Sequence, residues 1–314
     1  MGKLTDDELS IPVLTPITDP VSLKVGAYYA ETPYPSYDAI PPATQVMRPS
    51  QLINALSPWA KLTPQAWESA PEILVAGCGT GQQAFRVAQS FPGAHVLAID
   101  LSRPSLAYAI GKYRDSGLSN IEFAQADILE LPSLGRTFDV IEVGGVLHHM
   151  NDPWAGFRAI VSVLRPGGYV RPALYSKIVR EHVYAVRNWA LQKGFGGDMQ
   201  SVARFRETLL TLPPHPLLDL IRNSPDFSTL NELRDLVFHP HERPVTIPEI
   251  AENLKANQLR FLGFCFRNPA AKDFFRQGGH GAEDDLSAWG AFEAENPMAF
   301  AGMYDFWASK PGKP

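Results

Sequence analysis

Cysteine is scarce in this chain: only Cys78 and Cys265 occur among 314 residues. Two cysteines cannot build a disulfide framework, so we expect a reducing, cytoplasmic environment. The N-terminal residues include Asp6, Asp7 and Glu8 rather than a basic stretch followed by an apolar one, so secretion is not indicated. No apolar run approaches the roughly 20 residues that a membrane-spanning helix needs, and we expect no membrane partner.

Positive charge is also in short supply. The chain has 28 Lys and Arg against 33 Asp and Glu, a net charge of −5, and no basic run. A nucleic acid would find little counter-charge, so we do not expect one as a partner. Internal repeats and low-complexity tracts are lacking too. With 45% hydrophobic and 19% charged residues, the composition is that of a globular protein, either one large domain or a domain with an insertion.

The most informative segment present is a glycine run after an apolar stretch. The loop between the predicted strand around Ile73–Ala76 and the following predicted helix contains three glycines, Gly77, Gly79 and Gly81. Glycine allows a tight turn and lets a ligand approach the backbone. The spacing G-x-G-x-G differs from the G-x-G-x-x-G of dinucleotide enzymes, which disfavours a nicotinamide dehydrogenase. Taken alone, the run is also compatible with a plain turn.

Four more predicted strands follow, around 95–100, 121–127, 138–143 and 168–174. Helical segments separate several of them, which indicates a parallel, doubly wound sheet. The second strand ends in Asp100 and the third in Asp127. Ligands of such sheets bind beyond the carboxyl ends of the strands, where an acid can accept hydrogen bonds from ribose hydroxyls. For both aspartates, capping a helix is the alternative role.

Six motifs occur in this order: Ala-Gly-Cys-Gly-Thr-Gly, Ala-Ile-Asp-Leu-Ser, Gln-Ala-Asp-Ile-Leu, Phe-Asp-Val-Ile-Glu, Val-Leu-His-His-Met and Leu-Arg-Pro-Gly-Gly. Over residues 71–175 the chain thereby resembles class I S-adenosylmethionine-dependent methyltransferases. It is also similar to the methyltransferase domains fused to tetratricopeptide repeats in bacterial proteins of undetermined substrate, although no repeat array is present here. The resemblance implies an α/β, Rossmann-like sheet of seven mostly parallel strands.

The resemblance also implies a cofactor, S-adenosylmethionine, with S-adenosylhomocysteine as its product. The glycines would let the backbone lie close to the methionyl group. Asp100 would bind the ribose, and Asp127 would accept a hydrogen bond from the adenine amino group. The implied cofactor-binding residues are Gly77, Cys78, Gly79, Gly81, Asp100, Leu101, Asp127, Ile128, Val143 and Gly144. Many family members place an acid two positions before the first glycine, where this chain has Val75. Glu142 is a candidate replacement, or it stabilises the end of its strand.

Candidate catalytic residues are fewer. His148 and His149 follow the fourth strand, and either could act as a general base, although the family often has histidine there whatever the substrate. Tyr29 is a further catalytic candidate. The substrate candidates are Tyr28, Tyr34 and Tyr175. The arm tyrosines could close over the cofactor, face a cationic amine or simply pack the arm onto the core.

Residues His239, His241 and Glu242 form a weak metal-ligand pattern, and we predict no metal. We expect a small-molecule acceptor. The alternatives are a protein or peptide acceptor, and a non-catalytic module that binds S-adenosylmethionine. The predicted organisation is a proline- and aromatic-rich, mostly extended or turning arm or lid (1–70), a cofactor-binding core (71–175), a helical insertion that caps the substrate (176–245) and a C-terminal completion of the sheet (246–314). The sequence does not indicate an oligomeric state.

Overall fold

A seven-stranded sheet organises the molecule. The computed structural model describes residues 10–37, 39–40, 42, 45–265, 270–279 and 282–312. The strands are β1 (Glu72–Ala76), β2 (His95–Asp100), β3 (Ile121–Gln125), β4 (Phe138–Gly144), β5 (Leu164–Leu174), β6 (Arg260–Phe264) and β7 (Tyr304–Ser309). Their order is β3-β2-β1-β4-β5-β7-β6, and β7 alone runs antiparallel to its neighbours. The predicted α/β, Rossmann-like, mostly parallel fold is confirmed.

Helices cover both faces of the sheet, which explains why β1 is apolar on both of its faces from Ile73 to Ala76. They are α1 (Pro20–Glu31), α2 (Pro49–Leu56), α3 (Gln82–Ser90), α4 (Arg103–Arg114), α5 (Pro153–Ser162), α6 (Lys177–Gln192), α7 (Met199–Thr211), α8 (Pro216–Arg222), α9 (Leu230–Phe238), α10 (Ile247–Ala256), α11 (Ala270–Gln277) and α12 (Leu286–Glu295). In β1, Ile73 and Val75 pack into one core cluster and Leu74 and Ala76 into the other. A strand covered on both faces has no solvent side for polar residues.

The described part of the N-terminal segment contains two α-helices, α1 and α2, within the arm that we expected to be mostly extended or turning. Pro20 and Pro49 each occupy the first turn of a helix, where a missing backbone donor and a fixed φ are tolerated. Asp19 caps α1 by accepting hydrogen bonds from the backbone N–H groups of Val21 and Ser22 at 2.9 and 2.8 Å. The prolines therefore begin helices here rather than prevent them.

Between β5 and α10 the chain forms a helical insertion, α6 to α9, with a hydrophobic cluster of its own. Val186 on α6, Phe205 on α7 and Leu233 on α9 are fully buried in this cluster. Helix α7 begins at Met199, where the Asp198 side chain accepts a hydrogen bond from the N–H of Ser201. Because the cluster does not depend on the sheet, the insertion can place α9 over the cleft as one packed unit.

One strand boundary differs from the prediction. Strand β5 begins at Leu164, four residues before the predicted start at 168. Within the described ranges, no helix combines the length and apolarity needed to cross a bilayer.

Candidate active site

The glycine loop joins β1 to α3 at the carboxyl end of the sheet. The N–H groups of Gly77 and Cys78 both donate to the carbonyl of Ile99 on β2, at 2.8 and 2.9 Å. Gly79 has a φ of +51°, and a Cβ added there would lie 2.6 Å from the carbonyl oxygen of Tyr34. Both the left-handed backbone and this close approach require glycine. The loop is therefore fixed between β2 and the N-terminal arm.

Asp100, at the end of β2, holds the loop in place. One carboxylate oxygen accepts a hydrogen bond from the N–H of Gly79 and the other from the N–H of Ser102, both at 2.8 Å. Burial raises the pKa of Asp100, and the backbone donors oppose that rise. Ser102, not Asp100, caps α4. Asp100 is thus free of the capping role that was its alternative.

Asp127, after β3, does have a capping role. Its Oδ1 accepts a hydrogen bond from the N–H of Leu129 at 3.0 Å and caps the 3₁₀ helix Ile128–Leu134. Its own N–H donates to Oγ of Thr15, in the arm, at 2.8 Å. The carboxylate also borders the cavity described below. Capping and ligand binding are compatible, because a carboxylate has lone pairs on two oxygens.

Glu142 lies beside Val75, the position that is usually acidic in the family that the sequence resembles. The two residues are register partners on β4 and β1. Glu142 Oε2 accepts hydrogen bonds from Gln83 Nε2 at 2.7 Å and Arg86 Nη2 at 2.5 Å, while Oε1 has no partner among the described residues. Burial alone would raise the pKa of Glu142, but Arg86 and Arg171 lower it overall. An ionised acid is therefore present next to Val75, one strand away.

The N-terminal arm crosses the cleft and is hydrogen-bonded at both ends of this crossing. Near its start, the N–H of Leu14 donates to the carbonyl of Gln125 at 2.9 Å. Near its end, Thr80 in the glycine loop donates from its N–H to Tyr34 at 3.2 Å and from its hydroxyl to Pro35 at 2.6 Å, both to carbonyl oxygens. Two separated anchors make the arm a roof over the carboxyl end of the sheet.

A cavity of 830 Å³ extends beneath this roof from the glycine loop to the helical insertion. Most residues that we predicted for the site line it. They are Gly77, Cys78, Gly79, Asp100, Leu101, Asp127, Ile128, Gly144, Tyr29, Tyr34, His149 and Tyr175. Gln83, Arg86 and Asp235 also line it and were not predicted. The motifs contain neither Gln83 nor Arg86, and only the first turn of α3 brings them to the cavity.

Two predicted cofactor residues, Gly81 and Val143, are not among the described residues that line the cavity. Gly81 has a φ of +93° and precedes α3, and a Cβ there would clash with Ala109 and Phe85 at 2.9 Å. Its role is to form the turn. Val143 is fully buried in the core beneath the sheet. Side chains along a strand point alternately to the two faces of the sheet, and the side chain of Val143 points into the core rather than into the cavity.

His148 and Tyr28 are likewise absent from the described cavity lining, which corrects their predicted catalytic and substrate-contacting roles. The His148 ring stacks on Tyr175 with centroids 3.7 Å apart, and its Nδ1 accepts a hydrogen bond from the N–H of Tyr175 at 3.2 Å. Burial lowers its pKa well below the usual range. Tyr28 packs behind Tyr29, with its ring 4.1 Å from the guanidinium of Arg234. Both side chains support the neighbours that face the cavity.

His149 does face the cavity. Its Nδ1 lies 3.0 Å from the carbonyl oxygen of His241, which can only accept, so Nδ1 carries the hydrogen and Nε2 the lone pair. Burial lowers the pKa of His149 to about 4. The ring is neutral at pH 7 but holds a proton weakly. Its Nε2 is therefore suited to accept a hydrogen bond from a bound molecule rather than to remove a proton from it.

Asp235, on α9, brings an acid to the far end of the cavity. Its Oδ1 accepts a hydrogen bond from the hydroxyl of Tyr29, on α1, at 2.9 Å. Burial raises the pKa of Asp235 to about 7. Sequence reasoning missed this residue because 206 positions separate it from Tyr29. The sequence offered no clear signal, because Asp235 follows Arg234 in an ordinary amphipathic helix pattern.

Three potential metal ligands also meet here, in a combination different from the one that the sequence pattern suggested. Ligand atoms of His149, His239 and Glu242 lie within 4.8 Å of one another. Both Arg180 and Arg187 donate to the Glu242 carboxylate, Arg187 at 3.2 Å. A divalent cation would add its charge beside two guanidinium groups. The electrostatics therefore favour ion pairing by Glu242 over metal binding.

Comparison with known proteins supports the assignment of the core. Residues 73–168 match the family described as Methyltransferase domain. Over 207 residues, 63% of this chain, the sequence is 34% identical to an uncharacterized protein from Synechococcus sp., covering 49% of that protein. Over 99 residues, 31% of this chain, it is 35% identical to demethylmenaquinone methyltransferase from Lactococcus lactis, covering 39% of that enzyme. The chain thus spans half or less of the length of these relatives.

A solved structure shares the fold over a longer stretch. The structure of PKMT2 from Rickettsia typhi in complex with AdoHcy aligns with 87% of this chain and 56% of that one, with a TM-score of 0.63 and 16% sequence identity. At this level of identity the likeness speaks for the fold alone. It extends beyond residues 73–168, so the shared architecture includes elements outside the family match.

Proposed function

We propose that this chain, in which residues 73–168 form an S-adenosylmethionine-dependent methyltransferase domain, transfers a methyl group to a small-molecule acceptor. One observation carries the proposal: a single cavity of 830 Å³ borders both the glycine loop and a second group of polar side chains, Tyr29, His149 and Asp235. Such a cavity has room for a donor and an acceptor side by side.

The residues at the loop end fit S-adenosylmethionine. Gly77 and Gly79 present bare backbone, and Asp100 and Asp127 present acceptor oxygens for ribose hydroxyls and an adenine amino group. Glu142, the candidate replacement for the acid at Val75, is fully buried, pairs with Arg86 and Arg171, and is not among the described residues that line the cavity. Its charge is therefore compensated within the fold, and it stabilises its strand end rather than binding the methionyl ammonium group directly.

S-adenosylmethionine supplies a methyl group that is already electrophilic because it is bound to a sulfonium. The chain therefore needs chiefly to orient the acceptor and to exclude water. Tyr34 and Pro35 fix the arm to the loop, which encloses the reacting groups. Tyr29 and His149, with rings 6.3 Å apart, border the acceptor end and can orient it by hydrogen bonds.

The enclosure favours a small molecule over a protein or peptide acceptor. The arm and the insertion meet above the cavity, where Arg234 on α9 bonds to Glu31 at 2.8 Å and Thr32 at 2.7 Å, both at the end of α1. A folded protein surface could enter only if these contacts opened. The protein acceptor remains the alternative, prompted by the resemblance to repeat-fused domains. The non-catalytic alternative is less favoured, because one continuous cavity joins the two ends and would let an acceptor reach the cofactor.

Calorimetric titration with S-adenosylhomocysteine tests cofactor binding. We expect the wild-type chain to bind, and Asp100→Ala to weaken binding by about 1–3 kcal/mol through loss of hydrogen bonds to a charged acceptor. Asp115→Ala, an exposed position at the end of α4, is the matched control and should not change affinity. Absence of binding by the wild-type chain would contradict the proposed function.

The class of acceptor needs a separate measurement. The chain is incubated with S-adenosylmethionine carrying a labelled methyl group and a cell extract, and the products are separated by mass. We expect label in the small-molecule fraction. Label confined to protein would instead favour the alternative acceptor, and unlabelled fractions together with tight S-adenosylhomocysteine binding would favour the non-catalytic module.

A further inference from the structure

We propose that the acceptor is an amine, which binds in its ammonium form to Asp235 and loses its proton to that carboxylate. This inference rests on the proposed function and names the substrate class of the same cavity. Its starting point is that Asp235 is only 4% exposed, lines the cavity and accepts one side-chain hydrogen bond, from the neutral hydroxyl of Tyr29. Among the described residues, no Lys or Arg forms an ion pair with it.

The cations nearest to Asp235 are bonded to other acids. Arg180 and Arg187 both pair with Glu242, and Arg234 pairs with Glu31 at 2.8 Å. Arg180 also donates to the carbonyl of Leu236 at 2.9 Å. Arg180 Nε has no partner among the described residues, but none of these guanidinium groups donates a hydrogen bond to Asp235 there. A buried carboxylate without its own cation is costly to the fold, and a ligand that supplies the cation removes that cost.

Aromatic rings surround the same end of the cavity. Tyr29, Tyr34, His149 and Tyr175 line it, and the Tyr29 ring lies 6.4 Å from Tyr34 and 6.3 Å from His149. The negative faces of tyrosine rings attract ammonium groups, and His149 adds no charge because its pKa is about 4. One carboxylate among uncharged rings is complementary to a cation. An anionic acceptor would meet repulsion from Asp235 here.

Asp235 is also suited to the proton transfer that amine methylation requires. The carboxylate takes one proton from the bound ammonium, which frees the lone pair of the nitrogen. That lone pair forms the bond to the methyl carbon, while the bond from this carbon to sulfur breaks and its electron pair stays on sulfur. The product is a methylated ammonium, and Asp235 then releases its proton to water. Burial favours the protonated carboxyl, with a pKa of about 7, which assists the first step.

A pair of probes that differ in charge tests the proposal. Benzylamine and benzyl alcohol have the same shape, and each is titrated calorimetrically into the full chain at pH 8, with and without saturating S-adenosylhomocysteine. We expect benzylamine to bind at least about tenfold more tightly than the alcohol, as expected for a hydrogen bond between charged groups. Asp235→Asn should abolish this preference, and Asp115→Asn, an exposed acid outside the site, should retain it.

Tyr29→Phe provides a second variant in case Asp235→Asn does not fold. It leaves the carboxylate in place, so the preference for benzylamine should persist. If the alcohol binds as tightly as the amine, or neither probe binds, the proposal is overturned. It is also overturned if Asp235→Asn weakens S-adenosylmethionine binding but not the amine preference, because Asp235 would then serve the sulfonium. A wild-type chain that discriminates between the probes but does not bind S-adenosylhomocysteine contradicts the proposed function instead.

Discussion

The two ends of the cavity are built in different ways. At the cofactor end, Gly79 and Asp100 are only 21 residues apart and are joined by a backbone hydrogen bond of 2.8 Å. At the acceptor end, Tyr29 and Asp235 are joined across 206 residues, from the arm to the insertion. A short motif can specify the first arrangement, because strand, loop and helix follow one another. The second depends on where two separate segments dock.

The acids at the two ends differ in the same way. Asp100 accepts two backbone hydrogen bonds, and Glu142 is bonded to Gln83 and Arg86. Backbone donors stabilise the carboxylate of Asp100, and arginines neutralise that of Glu142. Asp235 has Tyr29 as its one side-chain donor among the described residues, and burial raises its pKa to about 7. The difference separates acids that shape the site from an acid that is left for a ligand.

The largest expected effect comes from breaking the cofactor end at Gly79. Gly79→Ala places a Cβ 2.6 Å from the Tyr34 carbonyl in a left-handed backbone. We expect S-adenosylhomocysteine affinity to fall by about 3 kcal/mol, roughly a hundredfold, because loop or arm must shift. Calorimetry measures the loss. Gly111→Ala on α4 has open space at its Cβ and should leave affinity unchanged while stabilising the fold by about 0.5–1 kcal/mol.

At the acceptor end, we expect Asp235→Asn to stabilise the fold rather than to impair the protein. A raised pKa means that the folded state binds a proton which the unfolded state releases, so stability falls as pH rises from about 4 to about 7. Removing the carboxyl should therefore increase the free energy of unfolding by on the order of 2 kcal/mol at pH 8 and by little at pH 4. Denaturant unfolding at both pH values measures this.

The sign for Asp235 depends on its charged neighbours: Glu242 and Asp226 raise its pKa, while the Tyr29 bond and Arg180 lower it. A variant that is less stable than wild type at pH 8 would show that the carboxylate is compensated in the fold. Such a result would remove the contrast between the two ends. Asp115→Asn should change stability little at either pH.

The smallest expected effect is that of Tyr29→Phe. Loss of one hydrogen bond to Asp235 should destabilise the fold by about 1 kcal/mol, without affecting S-adenosylhomocysteine affinity. The same change in an Asp235→Asn background should cost less, because a neutral amide gains less from the hydroxyl than a carboxylate does. Equal costs in both backgrounds would indicate that Tyr29 acts through packing alone.

Much of the cofactor end was predictable from the sequence. The period of apolar strands, the glycine spacing and the strand-terminal Asp100 and Asp127 are local signals, and parallel strands bring their carboxyl ends to one edge. Prediction failed where neighbours decide the outcome. Pro20 and Pro49 were expected in extended or turning chain, yet each begins a helix. The fixed φ of proline is compatible with extended chain and with the first turn of a helix, so proline alone does not distinguish the two. His148 and His149 are adjacent, and only packing against Tyr175 separated the buried ring from the one that lines the cavity.

By itself the sequence determined the sheet, the glycine loop and the methyl donor, because each rests on residues close together in the chain. The tertiary structure alone decided which residues anchor the predicted arm, that Glu142 pairs with Arg86 and Arg171, and that Asp235 meets Tyr29 inside the cleft. These pairings are long-range, and their residue types are common on any surface. What makes Asp235 distinctive is its burial at the cavity with a neutral hydroxyl as its side-chain donor, and burial is a property of the folded chain.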